Sequence, residues 1–171
     1  MRQQVTQNSL PNRNRFGIFF STIEMPDPQT LHAVVFRVGD LLCAAPAGIV
    51  REILPVLQPT RIPGVPDAVD GLVNVRGTLL TVLDAHRILG RERTASDEGS
   101  IVVLRTGGRT CGLLVGEVRD FVELPSAAVA ERAQLPGVDP RIVRAVARRG
   151  DEHFVILDVD ALLAPMLGGG E

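Results

Sequence analysis

Residues 34–54, VVFRVGDLLCAAPAGIVREIL, overlay residues 102–122, VVLRTGGRTCGLLVGEVRDFV, at an offset of 68. Eight of the 21 positions are identical, Cys43/Cys111 and Arg51/Arg119 among them, where ordinary composition gives about one or two. Further on, VNVRGTLLTVLDAHRIL resembles VARRGDEHFVILDVDALL, with Leu83-Asp84 matching Leu157-Asp158 at an offset of 74. Each half therefore reads as hairpin, middle strand, linker, second hairpin, Leu-Asp and short helix. A long unit present twice predicts two similar small bodies and not a solenoid.

The units themselves are β-like. HAVVFRV, Gly39-Asp40 and LLCAAP read as a hairpin, and IVVLRT, Gly107-Gly108 and RTCGLLV as its counterpart. Nine or so short strands separated by Gly, Pro and Asp predict a mainly all-β architecture of barrels. Short helices are expected at about 85–89 and 159–166. Asp84 and Asp158 each precede one and are expected to cap it by accepting backbone N–H bonds.

Residues 1–30 lack a sustained period and are rich in Gln, Asn and Pro, so a disordered tail is expected there. Within it, Phe16, Ile18, Phe19 and Phe20 form one apolar cluster. That run is too short for a signal-peptide core, and no apolar run approaches the ~18 residues of a membrane span. The expected location is cytoplasmic, without direct membrane insertion. Cys43 and Cys111 lie in apolar stretches, form no CxxC and suit a reducing compartment.

Charge and aromatic content restrict the function. The net charge is −2, and the chain has six Phe but no Tyr or Trp. A nucleic-acid binder needs a basic surface and stacking rings, so none is expected. His32, His86 and His153 stand apart, with no ligand spacing for a metal. Neither GxSxG, GxxxxGK[ST] nor GxGxxG occurs, so no catalytic, metal or cofactor residues are assigned. A small-molecule or nucleic-acid-binding barrel remains the competing class.

One hairpin carries more than its fold requires. In GLVNVRGTLLTVLD the reversal at Arg76-Gly77 needs positive φ, which Gly77 supplies, and Asn74 is placed to bond the turn backbone. Arg76 then projects from a stiff support as a planar donor suited to partner recognition. Upstream, VREILP leads into a linker with prolines at 55, 59, 63 and 66. Val50, Glu52, Ile53 and Leu54 are placed to line a groove at the seam between the two bodies.

From residue 32 to 166 the chain resembles the CheW family of chemotaxis coupling proteins. The resemblance rests on FRVGDLLCAAP, VREILP, TRIPGVPDAVDGLVNVRGTLLTVLD and HFVILDVDALL. It implies two similar five-stranded SH3-like β-barrels within a CheW-like domain over 31–167. The first would cover about 31–90 plus strand exchange and the second about 100–166. It further implies a non-catalytic adaptor between the cytoplasmic tip of methyl-accepting chemoreceptors and the regulatory domain of a CheA-type histidine kinase. On that resemblance Val50, Glu52, Ile53, Gly71, Asn74, Arg76 and Gly77 form the receptor side.

Overall fold

The computed structural model describes residues 29–94, 98–131 and 135–167. Eleven strands are present among them: β1 (Thr30–Val38), β2 (Leu41–Pro46), β3 (Val50–Pro55), β4 (Val69–Val75), β5 (Thr78–Asp84), β6 (Ser100–Thr106), β7 (Arg109–Val115), β8 (Val118–Pro125), β9 (Val129–Glu131), β10 (Val143–Arg149) and β11 (Glu152–Leu157). Helix α1 (Ala85–Leu89) follows β5 and α2 (Val159–Leu167) follows β11. Both expected caps form: Asp84 Oδ1 accepts the His86 N–H at 2.9 Å, and Asp158 Oδ1 accepts the Ala161 N–H at 3.0 Å. The expected tail lies outside the described residues up to 28, and Thr30 already belongs to β1.

The strands form two sheets, in the orders β8-β1-β2-β11-β10-β9 and β3-β6-β7-β5-β4. The halves have exchanged their first hairpins. β1–β2 sits between β8 and β11, while β6–β7 sits between β3 and β5. The parallel pairings that seat them share one register: Ile156 faces Ala44 as Val82 faces Gly112. One sheet is thus built wholly from residues 50–115, here the middle barrel. The other joins 30–46 to 118–157 and is the outer barrel.

Each sheet curls until its edges meet. In the middle barrel the chain leaving β3 returns at Thr60, whose N–H and C=O both bond Leu72 of β4, at 2.8 and 2.9 Å. In the outer barrel the 3₁₀ turn Ser126–Ala128 carries the chain from edge strand β8 to edge strand β9. Because β9 is counted separately, this sheet has six strands where five were expected.

The core explains the continuous apolar runs of β1 and β6. Val34, Phe36 and Val38 face a shared core between the barrels, while Ala33 and Val35 fill the outer barrel. On β6, Val102 and Leu104 join the shared core, and Ile101 and Val103 fill the middle barrel. Strands buried on both faces cannot alternate apolar with polar.

Candidate functional site

Arg76 and Gly77, between β4 and β5, both have positive φ, 50° and 84°. Two successive left-handed residues make the type I′ reversal whose twist suits a two-residue hairpin. Gly77 adopts it freely, whereas the Cβ of Arg76 costs about 1–2 kcal/mol. Arg76 is the one non-glycine residue with positive φ among those described. Asn74 steadies the turn, its Oδ1 accepting the Gly77 N–H at 2.8 Å.

From this tip Arg76 reaches across to β3, where its Nη2 donates to Glu52 Oε2. The arginine side chain is 73% exposed and the glutamate 35%. A bulge places the carboxylate. Val50 stands opposite Leu104 and Glu52 opposite Val103, so Arg51 has no partner of its own. Opposite residues of an antiparallel pair share a face, so Glu52 takes the barrel-interior side with Val103. Val50 and Ile53 take the other side, with the shared-core residues Leu104 and Val102.

Three residues apart in a regular strand, Val50 and Ile53 would lie on opposite faces. The bulge turns them both to the seam, with Val50 partly buried and Ile53 47% exposed. Among the seven expected site residues, Glu52, Asn74, Arg76 and Gly77 are joined by hydrogen bonds. Val50 and Ile53 flank them on the seam side.

Gly71 lies apart. It is buried, and a Cβ there would stand 2.4 Å from the Thr60 carbonyl oxygen. Its place is under the Thr60–Leu72 bridge, where it lets the barrel close. The sequence reading missed Leu79, which is 66% exposed and opposite Asn74 near the arginine tip. The signal was the broken alternation of TLLTVL.

The outer barrel carries a related arrangement, with glycine (Gly150) at the tip position of Arg76 and the arginine one residue earlier. Asp120 follows the bulged Arg119 of β8 and stands opposite Val35 of β1. Arg149, from the β10–β11 tip, lies 3.4 Å from Asp120 and 3.3 Å from Glu152, with its guanidinium 5.5 Å from the Phe154 ring centroid. Phe121 holds the place of Ile53 and is 55% exposed.

The titratable groups elsewhere are structural. Asp84 is 2% exposed and receives Arg93 Nη2 at 2.9 Å, with Arg87 Nε at 3.5 Å. Burial pushes its carboxyl up, but the hydrogen bond and charge of Arg93, with the His86 N–H, outweigh burial and hold it below the usual value. Burial pushes the thiol of Cys43 up to about 12 and that of Cys111 up to about 11. Among the described residues no cluster of His, Cys, Asp or Glu is placed to hold a metal, and no helix is long and apolar enough to cross a membrane.

The fold is thus a pair of barrels with exchanged hairpins, with an arginine–glutamate pair joining a hairpin tip to the neighbouring edge strand. The model of the CheW-like domain matches residues 32–165, and the chain belongs to that family, which is one of chemotaxis adaptors and scaffolds. It is 26% identical over 137 residues to the chemotaxis protein CheW of Treponema pallidum (strain Nichols), covering 77% of this chain and 81% of that protein. It is 33% identical over 112 residues to the protein PilI of Pseudomonas aeruginosa, covering 65% of this chain and 62% of that one. The crystal structure of the scaffolding protein TtCheW from Thermoanaerobacter tengcongensis has the same fold. The TM-score is 0.72 at 22% identity, over 78% of this chain and 92% of that one.

Proposed function

We propose that this protein is a non-catalytic adaptor that couples chemoreceptors to a CheA-type histidine kinase. The observation that carries the reading is the Arg76–Glu52 clasp beside the exposed Ile53. A receptor tip is a helical hairpin, and an amphipathic helix is read by an apolar groove with charge at its rim. The Val50–Ile53 side of β3 supplies the apolar part, and Arg76 the charge. Type I′ geometry fixes the arginine before docking, so little freedom is lost on binding.

The kinase regulatory domain falls to the outer barrel, where Phe121 and Asp120 hold the places of Ile53 and Glu52, and Arg149 beside the hairpin tip pairs with Asp120. An adaptor that holds two partners at once needs two separate faces. Signal passes as a change in the geometry of the assembly, with no bond made or broken on this chain.

Binding of each variant to a receptor tip fragment and to the kinase regulatory domain tests the assignment. Arg76→Ala and Glu52→Ala are each expected to weaken receptor binding roughly tenfold and leave kinase binding intact. Phe121→Glu is expected to do the reverse. Wild-type receptor affinity in both of the first two variants would refute the receptor face.

A further inference from the structure

The two barrels match in register, yet they end differently. In the middle barrel the crossing between edge strands brings Leu57 onto the interior core, and Thr60 presses on Gly71. The matching crossing of the outer barrel, Ser126–Ala128, brings only one hydroxymethyl and two methyl groups. Ala145 stands where the middle barrel has Gly71, and four of the nine buried residues of the outer barrel's own core are alanines.

The underfilled end is open. A cavity of about 330 Å³ lies there, and Leu31, Val129, Ala145 and Ile156 form its apolar wall. Thr30, Ser126 and Arg144 add to its lining, so it is an open groove with a polar margin. Its volume exceeds the ~150 Å³ in which an apolar cavity accepts a benzene ring, which leaves room for an aromatic side chain. Gln29 also lines it, so the N-terminal 28 residues join the fold at the cavity's own rim. Those residues hold Phe16, Phe19 and Phe20, half of all the aromatic side chains in the chain.

We propose that the segment Phe16-Gly17-Ile18-Phe19-Phe20 is the occupant of this cavity and completes the outer barrel as Leu57 completes the middle one. Phe20 is nine residues from Gln29, a reach of up to about 30 Å. Tethering at that distance gives the segment an effective concentration in the millimolar range, far above that of a free competitor. The inference does not rest on the coupling reading, since it concerns the opposite end of the barrel from Arg149.

The chain has no Trp and no Tyr, so a single indole reports its surroundings without background. Phe16→Trp, Phe19→Trp and Phe20→Trp are made one at a time in the full chain. At least one is expected to emit as a buried indole, several-fold less quenched by acrylamide than a free peptide, and independently of protein concentration. Adding Val129→Arg in the cavity wall is expected to shift that emission to the hydrated position. In the full chain carrying Phe16→Ser, Phe19→Ser and Phe20→Ser, amides of 29–31 and 143–146 are expected to exchange faster.

Hydrated emission from all three indoles, with exchange unchanged in the serine variant, would overturn the proposal. So would burial that grows with protein concentration, which assigns the cavity to a second copy, or burial that appears only when a partner is added. Lost receptor or kinase binding with the indole still buried would count against the coupling reading alone.

Discussion

Glu52 and Asp120 hold the same place in the two barrels. Each follows the unpaired arginine of an edge-strand bulge, faces a valine of the other half's hairpin, and meets an arginine from the neighbouring hairpin tip. The duplicated plan repeats the carboxylate on its bulge, while the arginine differs: Arg76 stands in the turn itself and Arg149 on the strand just before it.

Stability should owe little to the Arg76–Glu52 pair. Exposed ion pairs contribute about 0–1 kcal/mol, and Arg76 occupies a left-handed turn position that disfavours a side chain. Arg76→Gly is therefore expected to match the parent or gain up to about 1 kcal/mol, even though it removes the guanidinium proposed to meet the receptor. Urea midpoints beside receptor titrations would separate the two effects, and a large loss of stability would contradict the account.

Gly71 should tolerate no side chain. Its φ of 149° disfavours a side chain, and the Thr60 carbonyl occupies the Cβ position. Gly71→Ala is expected to cost about 2–4 kcal/mol. At Gly77 nothing lies within 4 Å, so Gly77→Ala bears only the backbone penalty of about 1–2 kcal/mol. Denaturant unfolding of both variants compares clash plus strain with strain alone.

Acid should loosen the junction between β5 and the linker beyond it through Asp84. Its folded carboxyl lies below the unfolded value, so the charged form stabilises the fold. That stabilisation is fully present above about pH 4, the unfolded carboxylate range, and is lost as pH falls through the lower folded value. Arg93→Ala is expected to cost about 1–3 kcal/mol near neutrality and to raise the acid midpoint, which circular dichroism against pH would read. An unchanged acid midpoint would show that Arg93 does not sustain the charge.

Both cysteines should resist thiol reagents in the folded protein. Burial pushes them to about 12 and about 11, and the thiolate is the reactive form. Alkylation at pH 8 is expected to wait for unfolding, at Cys43 more strictly than at Cys111, which mass spectrometry of partly labelled protein would resolve.

Local chemistry made much of this molecule legible in the sequence. The Gly39-Asp40 and Gly107-Gly108 reversals, the caps of Asp84 and Asp158 and the tip at Arg76-Gly77 all depend on residues within a few positions of one another. The repeat declared two like bodies. Pairings over long separations were less accessible: that β1–β2 lies against β11, or that Arg76 meets Glu52 across 24 residues, leaves no local pattern. Gly71 was read as a surface residue because a glycine next to a functional turn looks alike whether it approaches a partner or its own backbone. The bulge at Arg51 was equally hidden, although it gives Val50 and Ile53 a common face.

Exchange of the first hairpins also orders events on the ribosome. The middle barrel uses residues 50–115 in one unbroken run, so it can close as soon as β7 clears the exit tunnel. The hairpin 30–46 gains its first neighbour strand once β8 has been synthesised and its second only after β11. A nascent chain therefore carries this apolar hairpin with its β2 edge unpaired until β11 emerges, and stalling in that interval would expose a sticky edge to its neighbours on the same messenger.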